Sequence, residues 1–359
     1  MTPSATVTVL TPDLAGCRAI LHNPAYKVAD LNGYYEALER DAGISLTNVR
    51  GQLAQLLFLM SGPRHVALRR TALGFFSTAN VQAWRPMIAR CASEAAERLV
   101  GRAEADLVAD FARPLSGEVM CHILGFSPAH WEAFDEWTSQ ALMLIEPMLP
   151  MRRLIEIEGA LGDYAAAVAL ALADAPRRTD GPPTFLMTPI QGIDDTERLW
   201  LTTGLYGASS VTRHTLANIL LITSGVASAD RAVLATPARR AMAVERLIAA
   251  GTSFQTVGRY FEDDASYGRR IDVPIAEASR RMLGGGCPLA DAQAGAGPHL
   301  AFGSGVHHCV GAPLARQTIA EALHALLARF PNFQVTRPPQ AFERSATIVS
   351  PLDLHCRLQ

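Results

Sequence analysis

A chain of 359 residues that is 49% hydrophobic and 18% charged has the make-up of a globular protein with room for a large core. A net charge of −2 gives nucleic acid no reason to bind, and no apolar run is long enough to cross a bilayer. The start, MTPSATVTVL, lacks the basic and apolar regions of a secretory signal, and the six cysteines lack the spacing of a disulfide framework, which together point to a reducing cytoplasm.

Aromatic residues are few while alanine and leucine abound, so helices should dominate. The expected class is mainly α with a minor β-sheet, in one domain spanning 1–359, because no repeat or interdomain linker interrupts the chain. TVTVLTPDLAGCRAILHNP reads as a short strand and a helix capped by Asp13. Helical pattern runs from about His65 to Val100 with a break near Ser77, and returns in RPLSGEVMCHILGF, PAHWEAFDEWTSQALMLI and RRLIEIEGALGDYAAAVALALADA. Proline and glycine then mark a loop, APRRTDGPPTFLMTPIQGI. The following helix, DDTERLWLTTGLYGASSVTRHTLANILLI, is apolar on most sides, as a helix buried in the middle of a large fold is. After AVERLIAAG the pattern becomes irregular and short-stranded. It closes with a helix, APLARQTIAEALHALLARF, and strand-like NFQVT and LDLHCRL.

The stretch HLAFGSGVHHCVGAPLAR, His299 to Arg316, presents one cysteine in a loop with glycines at 303, 305 and 311. Those glycines permit backbone conformations closed to other residues, and the helix after Gly311 aims its positive end at Cys309, favouring thiolate. Such a thiolate suits a nucleophile with His307 or His308 as its base, a zinc ligand, or an axial ligand to heme iron. Zinc lacks a second close pair of ligands in the sequence, and the overall pattern favours heme.

FGSGVHHCVG resembles the heme loop of the cytochrome P-450 family, F-x-x-G-x-[H/R]-x-C-x-G, with Phe302, Gly305, His307, Cys309 and Gly311 in place. PRHVALRR resembles that family's H-x-x-x-R helix, with His65 and Arg69 as two cations on one face for a heme propionate. VGRYFEDDASYG resembles the strand carrying a further propionate-binding arginine, here Arg259. The resemblance implies a cytochrome P-450 fold, shortened at its N-terminus. It also implies heme b ligated by Cys309 and contacted by His65, Arg69, Arg259, Phe302, Gly303, His307 and Gly311.

Two departures stand out. The family's E-x-x-R helix pairs its Glu with that Arg and with a second Arg downstream. Here Glu245 is followed by Ile248 at the arginine position, and no arginine occurs from Leu283 to Leu300, so that corner should be rebuilt. Arg246 faces a different side of its helix. On the distal helix, counting back from Glu245 aligns YGASS with the family's A-G-x-[D/E]-T, placing Gly207 at the glycine, Ser209 at the acid and Ser210 at the alcohol. A slip of one residue puts Val211 at the alcohol position. No carboxylate lies between Trp200 and Ala229, and serine is a poor substitute for an acid in proton delivery. Arg213 and His214 follow one turn later, as new pocket groups or as packing and surface residues.

The resemblance therefore implies a heme-thiolate oxidoreductase of monooxygenase type, tailoring a small molecule in bacterial specialised metabolism with non-standard oxygen activation. Ser209 and Ser210 are the catalytic candidates. Leu205, Tyr206 and Ala208, with Phe254, Gln255, Thr256 and Val257, are the substrate-lining candidates. Ferredoxin and ferredoxin reductase are the expected electron donors, with a carrier protein as a further candidate partner. A second reading is a peroxide-dependent or redox-neutral heme enzyme, catalysing dehydration, cyclisation or rearrangement. A third is a non-catalytic docking protein, against which the intact cysteine loop argues. The Met-rich ALMLIEPMLPMRR resembles a lid, with Met143, Met148 and Met151 as adaptable contacts or as plain core.

Overall fold

The computed structural model describes residues 6–9, 13–145, 149–174, 182–186, 192–261, 269–289, 297–345 and 347–359. In chain order the helices begin with α1 (Leu14–His22), α2 (Leu31–Ala42), α3 (Thr47–Leu53), α4 (Gly62–Phe75), α5 (Thr78–Glu97), α6 (Arg113–Leu124) and α7 (Trp131–Leu142). They continue with α8 (Met151–Asp174), α9 (Asp195–Ser224), α10 (Ser228–Arg231), α11 (Pro237–Gly251), α12 (Ile275–Arg281) and α13 (Ala312–Arg329). The strands are β1 (Thr6–Val9), β2 (Tyr26–Lys27), β3 (Glu104–Asp106), β4 (Val257–Phe261), β5 (Arg269–Val273), β6 (Gln334–Val335), β7 (Phe342–Arg344), β8 (Val349–Pro351) and β9 (His355–Arg357). Helix dominates and strand is minor, as the composition implies. No helix among the described residues is long and apolar enough to cross a membrane.

The chain divides into two compact units, Met1–Lys27, Arg85–Ser116 and Val211–Gln359 forming the first, and Val28–Trp84 and Gly117–Ser210 the second. The first unit holds a four-stranded sheet of order β1-β5-β4-β2, in which β1 runs parallel to β5 and the other pairs are antiparallel. A three-stranded sheet, β3-β9-β6, and the β7–β8 pair complete its β-structure. Cys17 and Leu21 of α1 pack with Val273, Ile275, Ala278 and Leu300, so the start of the chain and the segment before the cysteine loop share one apolar cluster. Arg231 is buried here without a carboxylate partner among the described residues. Its guanidinium donates to the carbonyls of Ser224, Val226, Pro331 and Phe333, satisfying chain ends that helix and strand leave open.

The second unit packs Leu46, Val49 and Leu53 of its short helix α3 against Leu154, Ile157 and Leu161 of α8, with Trp200 of α9. Glu158 on α8 accepts from the amides of Asn48 and Val49 at 2.9 Å each, capping α3 from outside its own segment. Gly51 has no room for a side chain, because an added Cβ would meet the Trp200 indole at 2.4 Å.

The expected strand-and-helix start is present, and Asp13 caps α1 by accepting from Ala15 and Gly16. The expected break near Ser77 separates α4 from α5, where Asn80 donates to the Phe75 carbonyl that ends α4. Helices α2, α3 and α12 lie outside the sequence expectation. Asp30 caps α2, and Gly43, with φ of +63°, ends it. Those two signals stood in the sequence, but α3 and α12 span only seven residues each, too few for periodicity to speak.

Candidate functional site

The cysteine loop belongs to the first unit. Its backbone is tied at both ends: Gly303 donates to the Leu300 carbonyl at 2.8 Å, and Cys309 donates to the Phe302 carbonyl at 2.8 Å. Gly303 and Gly305 adopt φ of +67° and +69°, which residues with a Cβ rarely reach. Gly305 also carries a steric demand, because a Cβ there would stand 2.5 Å from the Leu21 carbonyl of α1. Gly311 corrects the expectation of three special glycines: its φ is −86° and an added Cβ would lie 3.9 Å from the Cys309 sulfur, an ordinary contact. α13 begins immediately afterwards, so its N-terminus does follow the cysteine. Cys309 is exposed, whereas Cys17, Cys91, Cys121 and Cys356 are buried. His307 is half-buried and His308 exposed. His22 fastens α1 to the loop through Ser304, at 2.7 Å.

Glu245 on α11 is not left without a counter-charge. Arg316 of α13 donates from Nε to Oε1 at 2.5 Å and from Nη2 to Oε2 at 3.0 Å, a bidentate pair, and His299 Nε2 reaches Oε2 at 3.1 Å. Burial alone would raise the Glu245 pKa, but the hydrogen bonds from His299 and Arg316 and their charge hold it down at about 2. Arg246 is turned away and donates to the Pro288 carbonyl at 2.8 Å. Ile248, at the missing arginine's position, is 1% exposed within the core.

Arg259 stands on β4 opposite Ile271, is 4% exposed, and donates from Nη1 to the carbonyl of Gly258 at 2.8 Å. Burial drives its pKa down to about 10, and among the described residues no carboxylate offsets that cost. Of the substrate-lining candidates beside it, Phe254 and Val257 are half-buried and pack against the Cys17–Leu300 cluster. The Gln255 side chain is spent on the carbonyls of Thr252 and Ser253, and Thr256 is half-buried.

The remaining candidates on α4 and on α9 up to Ser210 lie in the second unit. His65 is 4% exposed, and Arg69, one turn on, is half-buried. Burial, and then the Arg69 charge, hold His65 below its ordinary value, so the pair offers one cation and one neutral imidazole where two cations were expected. Leu205 is buried, Ala208 exposed and Ser209 half-buried. Tyr206 is 1% exposed; its hydroxyl donates to the Trp131 carbonyl and its ring packs on Phe134, inside the unit's own core. Ser210 is buried and donates its hydroxyl back to the Gly207 carbonyl at 2.8 Å.

Past that point α9 contributes to the first unit. His214 bonds through Nδ1 to Ser350 Oγ at 2.6 Å, and Asn218 donates to the carbonyls of Gly251 and Val349, so this half of α9 is laced to β8 and the end of α11. Burial, then the charge of Arg213, push the His214 pKa down to about 3, leaving a neutral packing residue at neutral pH. Met143 and Met151 pack against the α3–α8 cluster as core, and Met148 lies outside the described residues.

These residues fit a heme on one specific count. A buried guanidinium lacking a carboxylate partner among the described residues, Arg259, has the chemistry to bind a propionate. A glycine-built loop also leaves Cys309 exposed just before a helix N-terminus. Zinc fits poorly, since no group of three or more His, Cys, Asp or Glu gathers among the described residues.

A scan against protein-family models finds no match. The chain is 31% identical over 295 residues to cytochrome P450-SU2 of Streptomyces griseolus, covering 78% of this chain and 70% of that protein. It is 29% identical to the mycinamicin IV hydroxylase/epoxidase of Micromonospora griseorubida, over 79% of this chain and 74% of the relative. Among solved structures, P450BioI in complex with an acyl carrier protein ligated to hexadec-9Z-enoic acid superposes with a TM-score of 0.82. That match spans 97% of this chain and 91% of the other at 19% identity, and establishes the fold.

Proposed function

This chain belongs to the cytochrome P-450 family, and we propose that it is an oxidative tailoring enzyme for a small molecule of bacterial specialised metabolism, with a non-standard route to oxygen activation. The family's cofactor is heme, its iron held by a cysteine, and Cys309 is the residue we assign as that ligand. When bound, a heme with thiolate ligation supplies electron density that favours O–O cleavage. Arg259 holds one propionate in this assignment, with Arg69 as the cation and His65 as a neutral donor for the other. Phe302, Gly303, His307 and Gly311 complete the cofactor contacts.

The observation that carries the non-standard element is the chemistry of α9. From Trp200 to the end of that helix at Ser224, and on to Ala229, the chain contains no carboxylate, and the Ser210 hydroxyl already donates to its own helix. Ser209 is the half-buried hydroxyl remaining at the acid position. A serine does not cycle protons near neutral pH as a carboxylate does, so proton delivery passes to a hydroxyl or carboxylate of the substrate. Leu205, Ala208, Phe254, Gln255, Thr256 and Val257 stay as proposed substrate neighbours, and Tyr206 is the weakest of that set because its hydroxyl is engaged on Trp131. The relative that hydroxylates and epoxidises mycinamicin IV supports the tailoring role. The structural neighbour bound to an acyl carrier protein supports a carrier-delivered substrate. The electron donors in this proposal are a ferredoxin and its reductase.

The same lack of an acid favours the second reading, a peroxide-dependent or redox-neutral enzyme. Purified protein, reduced and exposed to carbon monoxide, should show the red-shifted Soret band of thiolate-ligated heme, and Cys309→Ser should lose it. An unchanged band in that variant would overturn the ligand assignment. Turnover with dioxygen and a ferredoxin system, compared with turnover on peroxide alone, then decides between the two readings.

A further inference from the structure

Glu245, Arg316 and His299 form a continuous chain of contacts to the Cys309 backbone. Arg316 is held bidentately by the Glu245 carboxylate, and its guanidinium carbon lies 4.4 Å from the centre of the Phe302 ring. Phe302 in turn offers its carbonyl to the Cys309 amide. On the other side, the Ala301 amide donates to His299 Nδ1 at 3.2 Å. That bond makes Nδ1 an acceptor, and Nε2 donates to Glu245. His299 is 4% exposed and its ring lies 5.9 Å from that of Phe302. Beneath it, the Leu300 amide donates to Ser279 Oγ at 2.9 Å, anchoring the start of the loop to α12. One carboxylate on α11 thus grips the entry of the cysteine loop through His299 and the helix that leaves it through Arg316.

We infer that Glu245, Arg316 and His299 are positioning residues that hold the Cys309 loop in its ligand-presenting form, with Arg316 entering from seven residues beyond the cysteine. The inference rests on Cys309 being the heme ligand. The physical case is that a loop with two positive-φ glycines has little intrinsic preference for a single form, and a bidentate pair stacked on Phe302 removes that freedom. Lysine would not replace Arg316, because a point charge offers neither the fork for two carboxylate oxygens nor a plane to lay on the ring.

The test is amide hydrogen exchange across 299–311 in the purified full-length chain, alongside the reduced, carbon monoxide-bound spectrum. Arg316→Gln should speed exchange at the Cys309 amide by about tenfold or more while exchange in α8 stays at the wild-type rate. It should also move part of the Soret intensity from the red-shifted band to that of heme without a thiolate. Arg316→Lys should fall between this variant and wild type, and Glu245→Gln should act in the same direction as Arg316→Gln. If Arg316→Gln fails to fold, Glu245→Gln, which keeps an acceptor oxygen, carries the test. Wild-type exchange in both variants would overturn the inference, as would equal loosening of the loop and α8. A wild-type protein with no red-shifted band would defeat the assigned function instead, while the exchange result would still decide whether the clamp holds the loop.

Discussion

Ile248 occupies the position at which the family's helix carries an arginine, and it lies 1% exposed among the apolar residues of α11. Glu245 has already engaged both oxygens, with Arg316 on each and His299 on one. A guanidinium introduced at 248 would therefore be buried without a free partner. Ile248→Arg should destabilise the chain by about 3 kcal/mol, measured by urea unfolding, and not restore a lost brace. Glu245 itself makes stability depend on pH. A carboxyl held at about 2 when folded, against 4.5 ordinarily, adds stability that is complete above about pH 4.5 and is lost as pH falls towards 2. The unfolding free energy of wild type minus that of Glu245→Gln should be flat from neutral pH to about 5, then shrink by up to about 3 kcal/mol below it. Glu245 and the gap at Ile248 were legible in the sequence. The partners were not, because His299 and Arg316 lie 54 and 71 residues away and no local pattern joins them to it.

Between elements, α1 and the cysteine loop meet through a backbone contact. Gly305 sits where a Cβ would press within 2.5 Å of the Leu21 carbonyl, and its φ of +69° adds strain for any other residue. Gly311 has neither constraint. Gly305→Ala should cost about 2 kcal/mol or more in thermal unfolding and reduce heme content, whereas Gly311→Ala should leave stability within about 0.5 kcal/mol. The motif marks both glycines alike, so the distinction belongs to the contact between elements. Elements with caps and long periodic patterns, such as α1 and the α4–α5 pair, were legible. Helix α12 is seven residues long and is held by the fold around it, with Ser279 turned inward to bind both Ile275 and Leu300.

For the molecule as a whole, heme binds the folded chain and not the unfolded one, so it must stabilise by mass action. Titrating heme into heme-depleted protein should raise the melting temperature, with a gain of about 2.7 kcal/mol when free heme stands at a hundred times its dissociation constant. The absence of any shift, with the fold intact by circular dichroism, would deny that the chain retains the family's cofactor. The composition foresaw a mainly helical molecule with a small sheet content. It did not foresee that the chain resolves into two compact units, because each unit is assembled from separate stretches of sequence and no linker marks the junctions.

By itself the sequence determined the family, the order of the long helices, the cysteine in its glycine-built loop and the lack of an acid on α9 beyond Trp200. Each of those is written in adjacent residues, as spacing, as a motif, or as a missing residue type. Only the tertiary structure decided that Arg316 and His299 replace the missing arginines, that His65 and His214 are held neutral, and that Tyr206 spends its hydroxyl on Trp131. The reason is physical: the charge state and partners of a buried polar group depend on what packing brings within about 3 Å of it, and packing joins residues that no local pattern connects.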